Sequence, residues 1–522
     1  MLHALLCALY FGVLLGLSAY GLHRLHLVFL CRKHRKQIVS AQECPTLSDD
    51  ELPVVTIQLP LFNESTVAAR LLDAVAEMDY PREKLEIQVL DDSTDETKLM
   101  VRAHVERLRE RGVDAVYIHR VDRTGYKAGA LDNGLKVAKG ALIAVFDADF
   151  IPPSQFLRSI VGHFNDPKIG MVQTRWGHIN REHSILTQVQ ALMLDGHHLV
   201  ENRARFGAGL LFNFSGTGGI WRREAIHAAG GWEHDTLTED LDLSYRAQLA
   251  GWKFIYRQDV VSPSELPEDL SAVRAQQYRW AKGTVQTARK LMKRVLSSEL
   301  SFHQRVEAFF HMTPHFAYPL LVLLSVMLLP ALVLMPATNA LAMIIVDMPL
   351  CTATTGSLLA FYMVAESAQG RSRIGALKRL PMIIALGTGL APHLSKAVLE
   401  GWQQMAGEFV RTPKHGVKKG RYMARADLPM LEIGLALLSF ASTVASIETG
   451  HYFATPFAML FTIGYGYVSI MLAREQVARR QAVAAAPALD MVGPATVSEP
   501  PPSSGEQWVG SPEASVSADM VA

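Results

Sequence analysis

From Leu2 to Leu22 the chain carries no Asp, Glu, Lys or Arg. A bilayer core about 30 Å thick needs about 20 such residues to cross it. Hydrocarbon offers no hydrogen-bond partner to the backbone, so a segment of this kind is confined to a helix. His23, Arg24 and the cluster Arg32-Lys33-His34-Arg35-Lys36 come directly after the run. A cleaved secretion signal carries its positive charge before the apolar stretch. The order here is the reverse, which predicts a retained transmembrane helix over residues 1–30. The basic cluster then places the next part of the chain on the cytosolic side.

No comparable run occurs between about Cys44 and Ser301. Beyond it, Tyr318–Met335 and Leu341–Val364 flank a short Pro336-Ala-Thr-Asn339 turn and read as a hairpin of spanning helices. Arg371, Arg373, Lys378 and Arg379 return the chain to the cytosol. Met430–Ile447 and Phe453–Leu472 form a second hairpin, closed by Arg474, Arg479 and Arg480. The segment Pro381–Trp402 has an apolar first half, but Pro392, His393, Lys396 and Glu400 in its second, and basic residues on both flanks. It is expected to be interfacial or re-entrant, which leaves five spans. His303–Phe316 reads as a further interfacial helix. Asp347, an acid inside an expected span, is a candidate for lining a polymer passage. The Ala-, Pro- and Ser-rich stretch 482–522 reads as a disordered tail. The expected organisation is therefore a helix at 1–30, a cytosolic domain at 45–300, a membrane region with interfacial helices at 301–475, and that tail.

The middle region alternates. Val54–Leu59 is a short β-branched run and predicts a buried strand. A helical pattern covers Val67–Met78 and ends at Tyr80-Pro81. Leu85–Leu90, Ala115–Ile118 and Ala141–Phe146 read as further strands, with a helix over Lys127–Ala138. Strands alternating with helices argue for a mostly parallel sheet. Ligands of such sheets bind at the carboxyl ends of the strands. Three polar clusters sit there: Asn63-Glu64, Asp91-Asp92 and Asp147-Ala148-Asp149. The pattern predicts one carboxylate-lined crevice of nucleotide-binding type.

An isolated Asp-x-Asp is usually a solvated loop pair, but this one succeeds an apolar strand directly. Two carboxylates so spaced, beside a diphosphate, suit one Mg²⁺ or Mn²⁺. Thr238-Glu239-Asp240 opens an amphipathic helix that ends at Gly251. Acids there are favoured by the helix dipole alone. Asp240 is also a candidate general base. Gln276-Gln277-Tyr278-Arg279-Trp280 lies in a helical stretch. Trp280 offers a flat apolar face for a sugar ring, and Arg279 a planar donor fork for a diphosphate. Lys plus Arg number 51 and Asp plus Glu 50, so the net charge is +1 and no basic field points to nucleic acid. Cys7, Cys31, Cys44 and Cys351 show no metal-ligand spacing.

Taken in order, the stretches QLPLFNE, VLDDSTDET, GYKAGALDNGL, FDADF, VQTRW, FSGTGGIWRREAI, AGGW, TEDLDLSYRAQLAGWKF and QQYRW resemble family 2 glycosyltransferases of the GT-A fold, from about Val54 to Thr287. They are most similar to the cellulose synthase-like A and C proteins of plants, β-mannan and β-glucan synthases, and their bacterial relatives. The resemblance implies an α/β GT-A domain joined to an α-helical transmembrane region. It also implies that Asn63, Glu64, Asp91, Asp92, Lys127, Asp147, Gln276 and Arg279 bind the donor. Asp149, with Asp147, would ligate the metal. Asp240 would be the catalytic base. Trp280, Gly216, Thr217, Gly218 and Glu239 would meet the acceptor. Phe409–Lys414 resembles the gating loop of cellulose synthase, which would let Thr412 and Lys414 close over the donor. The single N-terminal span and the lack of a long C-terminal regulatory domain favour the mannan/glucan-synthase branch over true cellulose synthase.

The implied reaction is metal-dependent, inverting hexosyl transfer from GDP-mannose or UDP-glucose to a growing β-linked polysaccharide at the inner face of a bilayer, with translocation of the product. A non-processive enzyme glycosylating a membrane lipid is the alternative. A transporter or scaffold without catalysis fits the spans but not the set of acids.

Overall fold

The computed structural model describes residues 2–40, 42–334, 352–405, 407 and 429–485. Thr412, Lys414, Asp347, most of the Leu341–Val364 segment's first half and the tail beyond 485 lie outside the described residues. Residues Met1–Gln476 form one compact unit, and Val477–Ala522 are assigned to a second.

Seven strands build one sheet: β1 (Val55–Leu61), β2 (Leu85–Asp91), β3 (Ala115–His119), β4 (Leu142–Val145), β5 (Ile169–His178), β6 (Gly219–Arg222) and β7 (Lys253–Ser264). Their order is β3-β2-β1-β4-β6-β5-β7. β1 runs parallel to β2 and β4, and β2 to β3. β6 is antiparallel to both its neighbours, β4 and β5, while β5 and β7 are parallel. The four strands expected from sequence are thus present, and β5 to β7 extend the sheet on the far side of β4.

Alternation along each strand divides the core between two faces. Leu142 and Ala144 pack with Val55, Ile57 and Leu59 on one face, whereas Ile143 and Val145 pack with Leu131, Trp221 and Leu243 on the other. Helices Ala68–Ala76 and Thr97–Glu110 cover the first face. Tyr126–Leu135 and Glu239–Leu249 cover the second. Both faces of β1 and β4 are therefore dry, which explains their apolar sequence.

Five described helices are long and apolar enough to cross a membrane: Leu5–Lys33, Pro314–Leu334, Arg373–Gln403, Met430–Glu448 and Thr455–Gln481. Four coincide with expected spans. The exception is Arg373–Gln403, the segment expected to be interfacial or re-entrant. It is one continuous helix with Pro381 and Pro392 inside it, and a continuous helix does not turn back on itself. The re-entrant form is therefore corrected. Its polar second half has a local cause. Glu400 accepts from Lys282 Nζ at 3.0 Å and from the Tyr278 hydroxyl, both on the helix Leu270–Leu296. The charge that broke the hydropathy pattern docks this helix onto the sheet domain. The expected interfacial segment forms Phe302–Met312, with a turn at Pro314–Phe316 after it.

Candidate active site

β1, β2 and β4 end on the same edge of the sheet, so the residues just past them converge. Val145 is succeeded within four residues by Asp147 and Asp149. Glu64 lies past the end of β1 and Asp92 past the end of β2. The helix Glu239–Leu249 brings Glu239 and Asp240 to this edge in its first turn. The helix Leu270–Leu296 brings Gln276, Arg279 and Trp280. One cleft is lined by Glu64, Asp92, Lys127, Asp147, Asp149, Gly216, Glu239, Asp240, Gln276, Arg279 and Trp280. Residues 215 positions apart in sequence thus share a single cavity, from Glu64 to Arg279.

Asn63, Asp91, Thr217 and Gly218 do not line it, and the structure shows what they do instead. Successive strand residues point to opposite faces, so of two adjacent acids only one reaches the cleft. Asp92 faces it and is gripped by Arg120, Nε to Oδ1 at 2.8 Å and Nη2 to Oδ2 at 2.6 Å. Asp91 is fully buried beneath, accepting from the Tyr117 hydroxyl at 2.7 Å and the Ser93 amide at 2.9 Å. Asn63 sits at a positive φ of 54° and ties the ends of β1 and β2 together, its Oδ1 accepting from the Thr94 amide at 2.9 Å. Thr217 is buried and its Oγ1 accepts from the Asp147 amide at 2.9 Å.

Lys127 connects the two halves of the cleft. Its Nζ donates to Asp147 Oδ1 at 2.5 Å and to the Gly216 carbonyl at 2.9 Å. Gly216 adopts a φ of 81°, and a Cβ there would stand 3.1 Å from Asp240 Oδ2. A side chain at 216 would be strained by the backbone and would crowd Asp240. Burial and the neighbouring Glu239 push the Asp240 carboxyl up to about 7, against the pull of Lys127, the Leu241 amide and Arg279. Burial works against the Lys127 ammonium, but Asp147, Glu239 and Asp240 outweigh it and raise its pKa. Burial lowers the pKa of Arg279, opposed by Glu239, Asp147, Asp240 and Asp149. A carboxylate tuned toward neutrality beside a fixed guanidinium and ammonium can take up a proton while anionic charge is held nearby. Asp147 and Asp149 offer hard oxygen donors two residues apart, a set that would suit a divalent cation.

The lining residues that carry no assignment from the sequence include Phe62, Arg123, Trp176 and Glu265. The Arg123 guanidinium lies 3.3 Å from the centroid of the Phe62 ring, at the β1 end of the cleft. Glu265, just past β7, accepts from Arg70 Nη2 at 2.7 Å. Trp176 belongs to β5. Its stretch, VQTRW, carries part of the family resemblance, but only the β5 register turns the indole toward the cleft.

A family model described as "Glycosyltransferase like family 2" matches residues 53–283. Glucomannan 4-beta-mannosyltransferase 1 of Oryza sativa subsp. japonica is 33% identical over 450 residues, covering 82% of this chain and 85% of the rice protein. Glucomannan 4-beta-mannosyltransferase 2 of Arabidopsis thaliana is 42% identical over 273 residues, covering 50% of this chain and 51% of its own. Among solved structures, mannosyltransferase PcManGT from Pyrobaculum calidifontis, in complex with GDP-Man and Mn²⁺, matches with a TM-score of 0.46 and 22% identity over 67% of this chain and 97% of that one. The rice relationship runs through the sheet domain and into the helices beyond it, and on that extent the chain belongs to the family 2 glycosyltransferases, in their cellulose synthase-like A branch.

Proposed function

We propose that the protein is an inverting hexosyltransferase that extends a β-linked polysaccharide from a nucleotide-sugar at the cytosolic face of a membrane. The observation that carries this reading is the convergence of Asp92, Asp147, Asp149, Asp240, Arg279 and Trp280 in one cleft. Inversion needs one base and one stabilised leaving group. Asp240 takes the proton of the acceptor hydroxyl as that oxygen attacks the anomeric carbon. Arg279 and Lys127 hold the departing nucleoside diphosphate. A divalent cation held by Asp149 and Asp147 would neutralise the charge that develops on it. Asp92, fixed by Arg120, meets the nucleoside. Trp280 meets the acceptor sugar.

Two further features support processive synthesis with export. A second cavity shares Trp176, Asp240, Gln276 and Trp280 with the cleft. It also shares Tyr20, Arg24, Pro314 and His315 with a third cavity, whose walls include Leu321, Leu324 and Ile383 of the apolar helices. The three cavities are thus neighbours with shared walls, ranged from the acids to the apolar helices. The names of the plant relatives favour mannose as the sugar and glucomannan as the product class. The basic residues just past the first helix favour a cytosolic catalytic domain.

The test is purified protein in lipid nanodiscs, given radiolabelled GDP-mannose or UDP-glucose with Mn²⁺ or Mg²⁺, the product then digested by linkage-specific hydrolases. A ladder of β-linked oligosaccharides sensitive to a β-mannanase is expected. A single lipid-soluble spot, or no transfer from either donor, would overturn the reading.

A further inference from the structure

Two side chains in contact line the second cavity, Trp176 of β5, which also lines the cleft, and His198. Trp176 is held on three sides. Its Nε1 donates to the Thr217 carbonyl at 3.3 Å, its ring meets Phe150 edge-on at 5.4 Å between centroids, and it lies 5.1 Å from the His198 ring at 42°. His198 sits in a π-helical stretch, His197–Asn202, that interrupts the helix begun at Ile185. Such stretches recur at functional sites because they redirect side chains that an α-helix would present elsewhere. His198 is fully buried, and among the described residues its Nε2 has no hydrogen-bond partner. Its Nδ1 lies 3.4 Å from the Tyr256 hydroxyl, which occupies the other nitrogen. Burial, with His197 and His178 close by, holds this imidazole well below its ordinary pKa.

A buried polar atom without a partner costs stability and calls for an explanation. His198 is among the residues that line the second cavity, as is Trp176, which lines both that cavity and the cleft. An aromatic face next to one unsatisfied polar atom matches a pyranose, which presents an apolar C–H face and hydroxyls at its rim.

We propose that Trp176 and His198 form an acceptor-binding wall, the indole packing against a pyranose ring of the glycan and His198 Nε2 hydrogen-bonding one of its hydroxyls. The proposal rests on the glycosyltransferase reading above and adds recognition residues that line the same cavity as Trp280. The neutral imidazole serves as donor or acceptor according to its tautomer.

The experiment uses the full chain in nanodiscs and two readouts. One is the KM for an added β-1,4-linked tetrasaccharide of the polymerised sugar. The other is the Kd of the free nucleoside diphosphate with Mn²⁺. His198→Phe keeps the ring volume and removes the hydrogen bond, and is expected to raise the tetrasaccharide KM about tenfold. His198→Gln keeps a polar atom and is expected to restore most of it. Trp176→Ala is expected to raise that KM further and to shorten the products. In all three the nucleotide Kd stays within about twofold of the parent. An unchanged tetrasaccharide KM in His198→Phe and Trp176→Ala would overturn the proposal. So would nucleotide affinity falling in step with it, or His198→Gln behaving like His198→Phe. Failure of the unmutated protein to make polymer would instead overturn the functional reading itself.

Discussion

Glu239→Gln isolates the electrostatics of the proposed base. In the parent protein the Asp240 carboxyl is pushed up to about 7 by burial and then by Glu239. The base acts only when deprotonated, so kcat/KM rises with pH through that value and reaches a plateau above it. Two carboxylates about 6 Å apart repel by about 3 kcal/mol at an effective dielectric near 20. That is about two pH units, and screening in an open cleft reduces it to about one. Removing the Glu239 charge leaves the pull of Lys127 and Arg279 on Asp240 less opposed, so the Asp240 pKa falls and the acid limb moves to lower pH. At pH 6 a group titrating at about 7 is roughly one-tenth deprotonated, and one titrating at about 6 is half deprotonated. The variant is therefore expected to retain about five times more of its own plateau rate at pH 6 than the parent does. Normalising each profile to its plateau removes any separate loss of acceptor binding. The assay is initial nucleoside diphosphate release at subsaturating donor between about pH 5.5 and 8.5. An acid limb that stays in place, or that moves upward, would refute the assignment of Glu239 as the neighbour that raises Asp240.

Asp149→Ala should weaken nucleoside diphosphate binding at least about tenfold in the presence of Mn²⁺, with little change when the metal is chelated; isothermal titration checks both. Lys290 meets Glu233 at 2.5 Å, Asp235 at 2.6 Å and Asp242 at 3.0 Å, so it pins the loop ahead of Asp240 to the helix that carries Arg279. Lys290→Met should cost about 2 kcal/mol by leaving those acids underpaired, seen as a lower Tm, with kcat reduced and nucleotide Kd unchanged. Glu366→Gln should cost about 3 kcal/mol, because Arg181, itself buried, meets Glu366 at 2.5 Å and Asp195 on its other side. Thermal unfolding in nanodiscs measures that loss.

How far the sequence reveals this arrangement depends on what sets each residue's position. β1, β2 and β4 are dry on both faces, and their apolar runs declare it. Asp147, Asp149 and Asp240 are readable because a strand end or a helix start stands directly before them. β5 and β7 are not. Their runs, IGMVQTRWGH and KFIYRQDVVSPS, mix polar and apolar residues, and a register shift between Thr174 and Arg175 breaks the alternation. Trp176 lies just past that shift, so no periodicity forecasts its direction. His198 is placed by a π-helical stretch, whose geometry has no sequence period to track. The Asp91–Asp92 pair shows the same limit at one residue's scale: the sequence puts both acids at the donor, and the pleat admits one. Arg373–Gln403 misleads because Lys396 and Glu400 look like solvent-facing charge, when Glu400 is an anchor for Lys282 and Tyr278.

In the proposed mechanism Asp240 acts on the acceptor within the cleft where Asp149 and Arg279 hold the donor. Asp240→Asn keeps the shape of that cleft and removes its base. Donor affinity and transfer rate measured on this one variant separate binding from base catalysis. The expected result is nucleotide-sugar binding within about threefold of the parent and transfer reduced by about a thousandfold. Transfer at the parent rate with unchanged binding would contradict it.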